Sequence, residues 1–72
     1  MHKHNFTIII EKDPDGTLIA SVPNLKGCHT QAKTLPILMS RIKEAIELCL
    51  EVGKENLSSS KFVGLQEIEV SI

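Results

Sequence analysis

Apolar and polar positions along the chain follow two periods, and short polar breaks separate the stretches that keep each one. From Asn5 to Glu11 the run NFTIIIE is β-branched or aromatic, with Phe6, Ile8 and Ile10 on one face and Thr7, Ile9 and Glu11 on the other. The break DPDG follows. Pro14 suits the second position of a type I turn, and Gly16 can take the positive φ that closes a three-residue hairpin loop with a bulge. That loop predicts a register pairing Lys12 with Leu18, Ile10 with Ala20 and Ile8 with Val22, so the apolar faces of the two strands coincide. Pro23 has no amide to give to a ladder and ends the second strand. Asn24 to Gly27 then turn the chain into a short third strand, Cys28 to Ala32, suited to a sheet edge.

The period changes after Thr34, which serves as a helix N-cap, with Pro36 tolerated in the first turn because amides there lack helical partners. Leu35, Leu38, Met39, Ile42, Ala45, Ile46, Cys49 and Leu50 recur at helical spacing and predict one apolar arc wide enough to cover a sheet. Ser40, Lys43, Glu44, Glu47, Glu51 and Lys54 fall opposite, and Gly53 is placed as a C-cap. Residues 56–61 read as a serine-rich loop. Gln66 to Ile72 alternate once more, with Ile68, Val70 and Ile72 predicted inward. The expected architecture is α+β: a single β-β-β-α-β domain over 1–72, with one helix packed on one face of the sheet.

That arrangement leaves apolar residues uncovered. Ile9 and Ile19 lie on the sheet face away from the helix, and Ile37 and Leu48 fall outside the helix's core arc. A chain of 72 residues buries only about 60% of its unfolded surface, so its own core is marginal. Burying those residues between copies is the expected remedy, and a dimer or tetramer is predicted.

Composition narrows the function. The formal net charge is −1, which gives no global basic footprint, and two Phe with no Trp or Tyr provide no base-stacking platform. Direct DNA binding by this chain is not expected. The N-terminal MHKHNFTIII has no extended signal-like apolar region, and no stretch approaches a membrane span of about 20 residues. Two cysteines, Cys28 and Cys49, suit a reducing compartment better than a disulfide framework. The chain is read as soluble and cytoplasmic.

The reactive residue types do not assemble into a catalytic set. Cys28 and His29 are adjacent on a strand, so they point to opposite faces and can share neither an ion nor a proton readily. His2 and His4 lie at the chain's beginning, without paired ligands at zinc-site spacing. Asp13 and Asp15 are turn formers. Ser58 to Ser60 have no histidine nearby in sequence, and no glycine-rich phosphate loop is present. Glu44, Glu47 and Glu51 form a solvated helix ridge that could also meet a basic partner. No enzyme activity, metal or cofactor is expected.

The run FTIIIEKDPDGTLIASVPNLKGCHTQAKTL followed by RIKEAIELCLE resembles the HicB-like antitoxin domain over roughly residues 6–52. The matching positions are Asp15-Gly16, Ala20-Ser21-Val22-Pro23, Leu25, Gly27-Cys28-His29-Thr30, Thr34 and Ile42 through Leu48. The resemblance implies a partial RNase H-like fold whose fourth strand joins the sheet after the helix. It also implies direct binding to a HicA-type toxin, a small basic protein that cleaves messenger RNA, whose catalytic histidine the antitoxin covers. The chain departs from the family pattern at Ala32, where glycine is usual, and at Leu35-Pro36-Ile37, where the first helical turn is usually acidic. It is expected to be a short form without a C-terminal DNA-binding domain. The first strand has Thr7-Ile8-Ile9 at its middle, where an RNase H-like nuclease would carry a carboxylate. Candidate contacts for a toxin or a second copy are Ile9, Ile19, His29, Ile37, Glu44 and Leu48. The alternative is a stand-alone oligomeric HicB-like domain with no toxin, binding a small ligand around residues 23–30.

Overall fold

The computed structural model describes residues 4–52 and 61–72. His2, weighed and set aside as a metal ligand, and Gly53, Lys54 and the serine-rich loop through Ser60, read as cap, polar face and connector, lie outside the described residues. Three strands, β1 (Ile9–Lys12), β2 (Leu18–Ser21) and β3 (His29–Ala32), precede one helix, α1 (Leu35–Val52). The strands form one antiparallel sheet in the order β1-β2-β3, giving a small α+β domain.

The hairpin folds as its turn residues dictate. Lys12 pairs with Leu18 and Ile10 with Ala20, as the loop length requires. The Gly16 amide donates to the Asp13 carbonyl at 2.9 Å, and the Asp13 amide donates to the Thr17 carbonyl at 2.8 Å. Gly16 carries the positive φ, 92°, that lets the bulged turn close. Asp15 Oδ1 accepts from the Thr17 amide at 3.0 Å, and this bond, reinforced by the Thr17 hydroxyl, holds the Asp15 carboxyl below its ordinary pKa.

The corner between β2 and β3 is two tight turns in succession. The Leu25 amide donates to the Val22 carbonyl at 3.1 Å around Pro23-Asn24, and the Cys28 amide donates to the Leu25 carbonyl at 3.1 Å around Lys26-Gly27. Gly27 has φ 76° at the third turn position, where a type II turn places glycine. The Val22 amide donates to the Cys28 carbonyl at 3.0 Å and closes the corner. Val22, Leu25 and Cys28 all turn inward and are buried with Ala20, Ala32, Leu38 and Ile42 as the core. A connector has become a corner of the core.

Three sequence expectations need correction. The first strand pairs only from Ile9, so the predicted Ile8–Val22 pair is absent from the ladder. Beyond Ser21 the next residue that could donate to β1 is Pro23, which has no amide hydrogen, and residues 5–8 have no strand partner. Phe6 and Ile8 still pack against the core from outside the ladder. Secondly, the buried arc of α1 is narrower than its period suggests: Leu38 and Ile42 are buried, whereas Leu35 and Met39 are exposed. The helix packs over β3 and β2 and does not reach β1, so its flank has no sheet beneath it. Thirdly, the predicted fourth strand does not join this sheet. Gln66 to Ile72 form no ladder, and Ile68, Val70 and Ile72 point to solvent rather than inward.

Candidate functional site

The predicted contact residues fall on three separate surfaces. Ile9 on β1, Ile19 and Ser21 on β2 and His29 at the start of β3 line a shallow concavity on the outer sheet face bordered by Pro23 and Gly27, with Ser21 between Ile9 and His29. Sheet alternation places these side chains together, since neighbouring antiparallel strands put the same face outward. His29 is exposed, with Nδ1 3.1 Å from the Gly27 carbonyl oxygen, where an Nδ1–H tautomer donates. That contact steadies the ring on the solvent side of the corner.

Glu44 and Leu48 sit together on the second surface. A groove of about 530 Å³ runs along α1, lined by Arg41, Glu44, Glu47, Leu48 and Glu51, with Thr30 of β3 across from them. Residues 41, 44, 48 and 51 recur every three or four positions, so one helix face presents them all. Leu48 is 60% exposed among these charges. Arg41 Nη1 donates to the Gln31 carbonyl at 2.8 Å, which ties the helix to the edge strand and commits the groove's cation to β3. Three glutamates against one arginine give the groove's lining a net negative charge. Sequence reading missed Arg41 because its partner is a backbone oxygen, which no side-chain pattern marks.

Ile37 stands apart, exposed near Lys33 and Thr17. Lys33 Nζ donates to Thr17 Oγ1 at 2.8 Å, a bridge from the end of β3 to the start of β2 that also escaped the sequence reading.

Cys28 and His29 point away from one another in environment as well as direction. Cys28 is buried and His29 exposed. Burial pushes the Cys28 thiol up to about 11, with the neighbouring Cys49 thiol adding to the shift. A thiol so hard to ionise is a packing residue. Both cysteines are free thiols. Among the described residues, no three His, Cys, Asp or Glu side chains converge as metal ligands, and no helix is long and apolar enough to cross a membrane.

No family model matches the sequence. Curated relatives do. A UPF0150 protein of Archaeoglobus fulgidus is 58% identical over 65 residues, covering 90% of this chain and 93% of that protein. A UPF0150 protein of Synechocystis is 47% identical over 70 residues, covering 97% of this chain and 100% of the relative. A UPF0150 protein of Thermotoga maritima is 38% identical over 66 residues, covering 90% of this chain and 88% of the relative. Similarity this high over nearly the full length of both partners means that the chain belongs to the UPF0150 protein family.

Proposed function

We propose that this chain is a cytoplasmic protein-binding module of the HicB-like type, a partial RNase H-like domain that neutralises a HicA-type toxin by covering it. The observation that carries this reading is the helix groove in which Glu44, Glu47 and Glu51 surround the exposed Leu48. An apolar anchor rimmed by like charges fits a basic partner: the anchor supplies desolvated contact, and the carboxylates steer the encounter. The HicB-like motif from Ala20 through Thr34 supports the same partner class, because the toxins of that family are small and basic. On this reading the chain performs no chemistry and acts by occlusion.

Co-expression tests the proposal. A HicA-type toxin, sought as a short basic reading frame beside the gene, is expressed alone and together with this chain. Restored growth and a co-purifying pair are the expected results. A toxin that stays active and unbound in the presence of this chain rejects the antitoxin reading. The concavity of Ile9, Ile19, Pro23 and His29 favours a second reading, a stand-alone domain that takes a small ligand at the corner. Chemical-shift changes confined to those residues on metabolite addition, with no toxin bound, would select it.

A further inference from the structure

The inner face of the sheet is finished on one side only. Ala20 and Val22 are buried, but Phe6 and Ile8 are only partly so and Ile10 is exposed. The cause is the placement of α1 over β3 and β2, leaving β1 uncovered. Among the described residues the outer edge of β1 has no strand beside it. An apolar groove follows that side of the molecule, between Phe6 and Ile8 and the helix residues Met39, Ile46 and Leu50. An open edge above uncovered apolar side chains is a template for another strand.

The same chain carries a segment of matching chemistry. Residues 61–72 join no helix or ladder, and Ile68, at 89% exposure, Val70, at 67%, and Ile72 are all exposed. They alternate with Glu67, Glu69 and Ser71, so an extended segment has one apolar and one polar face. Residues 66–72 in a strand would span about 23 Å at roughly 3.3 Å per residue, enough to run the length of β1 and back to Phe6. The chain's own tail has not filled the groove. The radius of gyration is 14.0 Å, against about 11 Å expected for a compact chain of this length.

We propose that residues 66–72 add as a fourth strand to the outer edge of β1 in a second copy of this chain, reciprocally, with Ile68, Val70 and Ile72 packing over Phe6, Ile8 and Ile10. Each chain offers one donor strand and one acceptor edge, so a two-fold exchange fills both and leaves neither over. A different protein in the groove would leave the tail bare, and a different protein on the tail would leave the edge bare. The exchange also enlarges a core that 72 residues complete poorly alone. It concerns the β1 side of the molecule and is independent of any partner at the α1 groove.

Light scattering on the full-length chain and its variants tests the exchange. The wild type at micromolar concentration is expected at twice the chain mass of 8.0 kDa. The double variant Ile68→Asp/Val70→Asp is expected at the single-chain mass with unchanged helical circular dichroism, because both residues are exposed within the isolated chain. Ile10→Asp damages the acceptor edge alone and is expected to be monomeric too, yet a mixture of the two variants forms a two-chain species joined by one exchanged strand. As a measurement that needs no variant, excess synthetic peptide of residues 61–72 converts the dimer to peptide-bound single chains. A monomeric wild type, a dimer that survives the tail substitutions, or a dimer indifferent to the peptide overturns the proposal.

Discussion

Ile10 and Ala20 face one another across the β1–β2 ladder, yet Ala20 is 0% exposed and Ile10 is 44% exposed. The pairing sets their common face, and α1 decides which of them it covers. Ala20 lies where helix and sheet meet, with no room for a longer side chain. Ala20→Leu is expected to destabilise the chain by about 1–3 kcal/mol through overpacking. Ile10→Thr keeps a β-branched residue on an uncovered edge, and its effect on the dilute chain should stay within about 0.5 kcal/mol. Urea denaturation of the two variants checks the contrast, and equal losses would mean that the helix covers β1 after all.

Gly27 offers a cleaner test of backbone conformation. Its φ is 76°, and a Cβ built there meets no atom within 4 Å. Gly27→Ala therefore introduces no clash, and the expected loss of about 1–2 kcal/mol is the left-handed penalty alone. Gly27→Asn should lose less, because asparagine tolerates that region. If alanine and asparagine cost the same, the turn has relaxed to another shape.

Cys28 makes stability depend on pH in the alkaline range. Its thiol is raised from an unfolded value of 9.0 to about 11 by burial and then by Cys49. A folded pKa above the unfolded one means that the unfolded chain releases this proton first. The contribution is fully present below pH 9 and is lost as pH rises from 9 through about 11. Denaturation midpoints measured from pH 8 to 11 should fall less steeply for Cys28→Ala than for the wild type. Alkylation of Cys28 in the native chain should be slow at pH 8, since little thiolate is available. Parallel midpoint curves, or rapid native alkylation, would contradict the buried position.

Much of this fold is legible in the sequence wherever two signals agree. The register at Ile10 and Ala20 follows from both the DPDG loop and the apolar alternation, and each would fail if the other slipped by one residue. The corner at Val22, Leu25 and Cys28 is readable from Pro23 and Gly27. Where one signal stands alone, the reading overreaches. The period of α1 says which residues can face a sheet, but not how wide the sheet beneath it is, so it predicts Leu35 and Met39 in a core they do not enter. The strand composition of residues 5–8 outlasts the partner strand, which stops at Ser21. Alternation at Ile68 and Val70 says that the segment suits an edge, but is silent on whose edge. Among the candidate contacts, Leu48 and Ile37 were readable as residues outside the arc. That Arg41 bonds to the backbone of β3 was not.

The groove on α1 predicts a separable pattern in partner binding. Leu48 is 60% exposed, so Leu48→Ala should change the stability of the chain by no more than about 0.5 kcal/mol, whereas the buried Leu38→Ala should lose about 2–5 kcal/mol. Against a basic toxin, Leu48→Ala is expected to weaken binding by more than about 1 kcal/mol, roughly fivefold, and mainly through faster dissociation. Glu44→Lys and Glu47→Lys act on the other rate. Reversing an exposed charge in the rim of the groove should slow association and flatten its dependence on salt, because steering is what the carboxylates supply. Ile19→Ser, on the opposite face of the sheet, should alter neither rate. Stopped-flow association at two ionic strengths separates the cases. Loss of binding in Ile19→Ser with none in Leu48→Ala would move the partner to the outer sheet face, beside His29, and leave the acidic ridge as a solvated surface.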